Sequence, residues 1–246
     1  MTSVSHSTHD RLKGILQRRV LVVGTTGDNA PFSTLEKSGN YSGIDIDLSR
    51  SLAEALDVRV EYIRTSWPTV MTDLHGNMFD IGMSGVVFSI ERARSAAFSE
   101  PHVLTQKSYL IRATDKQRFS SNADIDVKGV RVGTNNGGTN EKFLREHIKH
   151  ATVSTVQGRN FEEQLTRQLR NNELDAWLVD TPPGLVLTRL ETDLYVMEEP
   201  ALPIRYAFLL HQGDLTFLNF VNLWLGQLKL TGLLERLQYR AVSRPE

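Results

Sequence analysis

The chain has no cysteine, which removes disulfides, thiolate nucleophiles, zinc–thiolate sites and iron–sulfur clusters together. It has no long apolar run either. Residues 19–23 (Arg-Val-Leu-Val-Val) and 207–210 (Ala-Phe-Leu-Leu) are strand-sized, far short of the ~20 residues that span a bilayer, so membrane insertion is not expected. Neither sign of charge is in excess. Lys plus Arg is 28 against 29 for Asp plus Glu, a net charge of -1, and no global field draws the chain to nucleic acid or anionic lipid. Metal-ligand spacings and a phosphate-binding loop are missing, and Gly137-Gly138-Thr139 alone is too short to imply a nucleotide, so neither metal nor cofactor is expected. Residues 1–10 are polar and lack the basic, apolar and small-residue regions of a secretory leader; as written the chain is expected in the cytoplasm, or in the periplasm if a leader has been removed.

What is present fits a compact globular protein. Hydrophobic residues make up 40% and charged residues 23% of 246, enough for one large α/β unit or two lobes of about a hundred residues each. The balanced charge points to a small-molecule partner, and self-association remains open.

Strand and helix periodicities alternate along the chain. Residues 19–23 are a β-branched run. Leu48, Leu52 and Leu56 then recur at four-residue spacing, residues 58–63 return to strand, and Trp67, Val70, Met71 and Leu74 form a helical stripe behind a candidate cap, Ser66. Residues 79–83 close a βαβαβ unit, which predicts a mainly parallel sheet with ligand at the carboxyl ends of its strands. A second run of this kind follows Pro101. Strands are expected at residues 109–111, 130–133 and 176–179, with helices after a candidate cap at Asn140 and along Phe161, Leu165 and Leu169. Residues 214–239 read as helix with a break at Thr231-Gly232.

Six ordered segments give these elements a family likeness: Thr25-Thr26-Gly27-Asp28 with Pro31-Phe32-Ser33, Gly43-Ile44-Asp45-Ile46-Asp47-Leu48, Thr65-Ser66-Trp67-Pro68, residues 79–85, Glu91-Arg92-Ala93-Arg94 leading to Phe98-Ser99-Glu100-Pro101, and residues 137–143. With them the chain resembles the solute-binding proteins of the polar amino acid type, and within that family its cyclohexadienyl dehydratase branch. The resemblance implies a two-lobe α/β fold of the type II periplasmic binding protein kind, with a hinged ligand cleft. Lobe 1 is expected over 1–104 and 206–246 and lobe 2 over 105–205, with hinges near 104–107 and 200–205.

By that resemblance Arg92 is the clamp for a ligand carboxylate, a task that suits a planar guanidinium fork. Thr139 and Asn140 lie where a glycine turn meets a helix start, a place favourable to an anion. Ser84 and Gly85 end a strand where a hydroxyl and backbone groups can reach ligand, and Trp67 is a candidate wall or core ring. Asn135 and Lys107 match the dehydratase pattern. Asp28 lies just after the first strand, where the resemblance implies an acid or polar residue facing the ligand, and Asp180 ends the strand at 176–179, where in amino-acid binders an aspartate meets the ligand's ammonium. Two positions depart from the family. Dehydratases place a general-acid glutamate three residues after that aspartate, where this chain has Pro183, and many relatives carry a serine at Val87. Proline moves no proton, so Asp28, Asp180 or His102 is expected to do so; His102 also reads as a partly exposed loop residue.

Two functions are implied. One is a carbon–oxygen lyase acting on a small carboxylate of the prephenate or arogenate kind. The other is a non-catalytic amino-acid-binding protein of a transporter or sensor.

Overall fold

The computed structural model describes residues 10–237, so the polar N-terminal segment through residue 9 and the expected helix end at residues 238–239 lie outside the described residues. The chain separates into two compact units. One comprises Met1–Thr65, Val70–His102 and Ala207–Glu246, the other Ser66–Thr69 and Val103–Tyr206.

The first unit begins with helix α1 (Arg11–Arg18) and strand β1 (Val20–Thr25), followed by the short strands β2 (Asp28–Asn29), β3 (Ser33–Leu35) and β4 (Tyr41–Ser42). Helix α2 (Ile44–Ala55), strand β5 (Arg59–Arg64), helix α3 (Val70–His75), strand β6 (Ile81–Gly82), a 3-10 turn over Arg92–Arg94 and strand β7 (Ala96–Phe98) come next. The second unit holds β8 (Val103–Arg112), β9 (Arg131–Asn135), α4 (Thr139–His147), β10 (Thr152–Val156), α5 (Phe161–Arg170), β11 (Ala176–Asp180), α6 (Thr181–Leu190), β12 (Leu194–Val196) and β13 (Leu202–Tyr206). The chain then returns to the first unit as β14 (Leu209–His211) and α7 (Leu215–Leu230).

In the first unit the sheet order is β5-β1-β6-β14-β7. β1 pairs in parallel with β5 and β6, while the returning β14 is antiparallel to β6 and β7. β1 lies between two neighbours and under helices, which is why its sequence is a continuous apolar run rather than an alternation. The stripe Leu48-Leu52 of α2 is fully buried, and the helix begins one turn earlier than that stripe alone predicts. Gly43 precedes it with φ of 126°, and a Cβ there would lie 2.4 Å from the Phe32 carbonyl oxygen, so only glycine lets α2 start so close to that loop. The three-stranded antiparallel sheet β2-β3-β4 has no counterpart in the sequence expectation, because strands of two or three residues are too short to show a period.

In the second unit the order is β10-β9-β11-β8-β12, with β13 also on β8. β10, β9 and β11 are parallel, and β8, ten residues long, runs antiparallel to β11 on one side and to β12 and β13 on the other. Ser66–Thr69 groups with this unit, although the sequence places it in the first lobe. The physical reason is close packing: Gly137, at φ of 76°, would drive a Cβ to 2.7 Å from Pro68.

Asp175 ties this sheet together. Its carboxylate takes hydrogen bonds from the Arg131 amide at 2.9 Å, from Arg131 Nε at 2.9 Å and from Arg118 at 3.0 Å. Burial alone raises its pKa, but the bonds from Arg131 and Arg118 outweigh this and hold it at about 2. A carboxyl depressed in the folded state contributes stability above its unfolded pKa of about 4 and loses it as pH falls toward 2. Asp175→Asn is therefore expected to lose on the order of 2 kcal/mol at neutral pH. Urea titrations across pH should show the gap to the native protein closing between about pH 4 and pH 2; a constant gap would contradict this origin.

Candidate functional site

Each unit contributes one cluster at the carboxyl ends of its parallel strands. In the first unit β1 ends at Thr25, and the loop after β6 carries Ser84 and Gly85. Ser84 is buried, and its Oγ lies 2.7 Å from Thr26 Oγ1 and accepts from the Thr26 amide at 3.1 Å and from Thr25 Oγ1 at 3.3 Å. Thr25 also shares a hydrogen bond with Ser33 Oγ at 2.6 Å, and Asn29 Nδ2 donates to the Ser84 carbonyl at 2.8 Å. This is a net of hydroxyls without a base, so it can hold an oxygen but not activate a serine.

Gly85 is already committed. Its amide donates to Asp45 Oδ2 at 2.6 Å, and a side chain there, at φ of 65°, would meet Asn29 at 2.5 Å. Asp45 is fully buried in the first turn of α2, and its Oδ1 lies 3.0 Å from His102 Nε2, whose ring stacks on Phe208 with centroids 4.4 Å apart. His102 is thus no partly exposed loop residue. Its side chain has no solvent exposure, so it braces the loop after β6 through Asp45 and is not positioned to give a proton to a ligand.

Arg92 differs from all of these. It is half-buried at the start of the 3-10 turn, and among the described residues its guanidinium makes no hydrogen bond or ion pair. Burial lowers its pKa from the ordinary value, with nearby Glu91 acting in the opposite sense. A partly desolvated guanidinium that makes no ion pair has a planar fork able to accept an anion. Val87 is buried between Val86 and the half-exposed Phe88, so the segment between β6 and the 3-10 turn is apolar there. Asp28 is half-buried in β2, in register with Thr34.

The second unit's cluster is an ion pair with three neighbours. Lys107 of β8 and Asp180 of β11 stand opposite each other in the antiparallel register, and Lys107 Nζ donates to Asp180 Oδ1 at 2.8 Å. The same ammonium donates to Thr139 Oγ1 at 3.1 Å and to Asn140 Oδ1, and Tyr206 OH donates to Asp180 Oδ2 at 2.8 Å. Lys107 is 1% exposed and Tyr206 fully buried.

In the glycine turn before α4 one backbone amide is already bonded within the chain. The helix begins at Thr139, with Gly138 rather than Asn140 as its N-cap, and the Glu141 carboxylate accepts from the Gly137 amide at 2.7 Å. Burial raises the Glu141 pKa, but the Gly137 and Arg145 hydrogen bonds bring it below the ordinary value. Asn135 ends β9, and its Oδ1 accepts from Thr134 Oγ1 at 3.3 Å. Trp67 sits half-exposed in the turn before α3, not in the helix that its stripe predicts. Pro183 is buried in the first turn of α6, where its missing N–H leaves no bond unmade.

Asp45, Thr25, Thr26 and Tyr206 are missing from the sequence expectation. Asp45 had a signal: it lies three and seven residues before Leu48 and Leu52, on the apolar face of α2, where a carboxylate must have a buried partner. Tyr206 follows Ile204 in strict alternation along β13.

Residues 21–242 match the model for bacterial extracellular solute-binding proteins, family 3. The chain belongs to this family. It is 35% identical over 238 residues to a cyclohexadienyl dehydratase of Pseudomonas aeruginosa, covering 94% of this chain and 87% of that protein. It is 27% identical over 240 residues to the L-cystine-binding protein TcyJ of Escherichia coli K12, covering 96% and 88%. Among solved structures it is similar to the ancestral amino acid-binding protein AncCDT-1, a precursor of cyclohexadienyl dehydratase, with TM-score 0.87, 30% identity and coverage of 95% and 100%. This family member therefore has the mixed α/β, two-lobe periplasmic-binding-protein-like fold. Among its described residues no helix is long and apolar enough to cross a membrane, and no group of three or more His, Asp or Glu gathers to hold a metal ion.

Proposed function

We propose that this solute-binding-family protein takes a small organic carboxylate onto Arg92 and acts on it as a carbon–oxygen lyase of the cyclohexadienyl dehydratase kind. The observation that carries the reading is the half-buried guanidinium of Arg92, which makes no hydrogen bond or ion pair among the described residues. A planar fork binds a carboxylate through two parallel hydrogen bonds, and the hydroxyl net of Thr25, Thr26 and Ser84 supplies further polar contacts. The 35% identity with a dehydratase across nearly the whole chain supports the choice of chemistry.

For a substrate such as prephenate, a carboxylate leaves as carbon dioxide, its electron pair aromatises the ring, and a hydroxyl departs as water once it takes a proton. Pro183 cannot supply that proton. His102 is enclosed against Asp45, and Asp180 receives two hydrogen bonds within its own unit, so the role falls to Asp28, half-buried in β2.

Pro183 favours a second reading, a non-catalytic amino-acid-binding protein, as does the likeness to an L-cystine-binding protein. Absorbance of the aromatic product distinguishes the two. Purified protein mixed with prephenate or arogenate is expected to form product well above the spontaneous rate. Tight amino-acid binding in calorimetry with no turnover would replace the lyase by the receptor.

A further inference from the structure

Helix α7 departs from the usual pattern in which a surface helix turns its charged residues to water. Its inner side is ordinary: Phe217, Val221, Trp224 and Leu228 recur at spacings of four and three and are buried. The outer side is not charged. Lys229 is the single charged residue among the sixteen of Leu215–Leu230, and its Nζ lies 3.4 Å from Glu100. Leu215, Leu223 and Leu230 are 66%, 76% and 84% exposed. With Asn219, Asn222 and Gly226 they fall within an arc of about 100° around the axis, an uncharged stripe that runs the length of the helix. Glycine is also a poor helix former, and a Cβ on Gly226 would meet no atom of the described residues within 4 Å. The stripe therefore carries a dent at its middle that the helix itself does not require.

We infer that this stripe docks the α7 of a second copy of the chain, laid antiparallel across a two-fold axis that passes between Asn222 and Leu223. The spacing selects that partner. A two-fold interface must match a surface with its own reverse. Reversed about that point, Leu215 of one copy faces Leu230 of the other, Asn219 faces Gly226, and Asn222 faces Leu223, so each member of the stripe falls on another member of it. The Asn219 side chain then meets the dent at Gly226, which lets the two helices approach closely. Charge agrees with this pairing. Lys229 falls opposite Thr216 at the edge of the stripe, no like charges meet, and antiparallel helix dipoles attract. A lipid surface suits the stripe less well, because helices that lie on membranes carry Lys and Arg along their polar side. Sixteen residues make a helix about 24 Å long, so the helix pair buries less than the ~1,200 Å² of a standard stable interface, and the dimer belongs to the transient class.

Sedimentation of the native chain across concentration tests this. A monomer is expected at about 1 μM, with the mass approaching twice that value toward about 1 mM. Leu223→Glu sets two like charges beside the axis and should stay monomeric throughout, while unfolding at the native urea midpoint because the residue is already exposed. Gly226→Ala should unfold later than the native chain, since alanine suits a helix better, yet associate about tenfold or more weakly because its Cβ fills the dent. A purely local role for Gly226 would not move stability and association in opposite senses. Because the chain has no cysteine, the register can be read by cross-linking. An oxidised mixture of Leu215→Cys and Leu230→Cys should form disulfide-linked pairs. Either variant alone should not, since its two thiols would lie at opposite ends of the contact, roughly 20 Å apart. Linking in one variant alone as fast as in the mixture would overturn the pairing, and a native mass that stays monomeric at millimolar concentration would overturn the docking itself. Leu223→Glu unfolding early in dilute solution would give the stripe to another segment of this chain. Native binding to phosphatidylcholine vesicles that this variant loses would give it to lipid, and either result refutes the inference.

Discussion

Alanine in place of Arg92 will weaken carboxylate binding by about a hundredfold or more while leaving the folded state as stable as before. A charge-assisted, bidentate guanidinium–carboxylate contact that loses one member costs roughly 2–5 kcal/mol, and each 1.4 kcal/mol is a factor of ten in affinity. Stability should not follow, because among the described residues the guanidinium holds no partner that its removal would orphan, and burial already works against its charge. Arg92→Lys should recover only part of the loss, since a point ammonium cannot reproduce the fork. Calorimetric titration alongside urea unfolding checks both halves. Affinity unchanged in Arg92→Ala would remove this residue from the site.

Asp45→Ala should show the opposite signature, a large loss of stability of about 3 kcal/mol. The carboxylate is fully buried and serves two partners at once, the Gly85 amide at 2.6 Å and His102 Nε2 at 3.0 Å. Neither can find water in its place, so both are left unsatisfied. Trp224 provides a local probe, because its ring lies 6.0 Å from Phe208, on which His102 stacks. Urea titration followed by tryptophan fluorescence should show an early transition in the variant. A midpoint within error of the native protein would mean that the loop after β6 is held by other contacts. Asp45→Asn, which can still bond one partner, should fall between the two.

The pattern of success in the sequence follows from the physics of each element. Long, strongly periodic segments are readable: the stripe Leu48-Leu52, the run at β1 and the spacing of Phe161, Leu165 and Leu169 all become buried faces. Pairwise polar chemistry is much less so. Ser84 is recognisable as lying beyond a strand end, but its Thr25 and Thr26 partners come from the end of β1 and the residue after it, 59 and 58 residues away in sequence. Likewise His102 carries no local sign that a carboxylate 57 residues earlier will enclose it. Asp180 and Lys107 are each identifiable from the family likeness as separate candidates. That they meet, and so cancel, depends on the β8–β11 register, which no local pattern encodes.

The route of the backbone has a consequence for biosynthesis. Strand β14 lies between β6 and β7, yet it is made after the whole of the second unit. The chain also departs at Val103 and comes back at Tyr206, two residues that are themselves paired, so the intervening hundred or so residues form an insert with abutting ends. On the ribosome that insert can complete its own sheet while the earlier part still lacks a central strand. The portion that bears Arg92 is therefore the last to close, although its first strand is translated before the whole of the second unit.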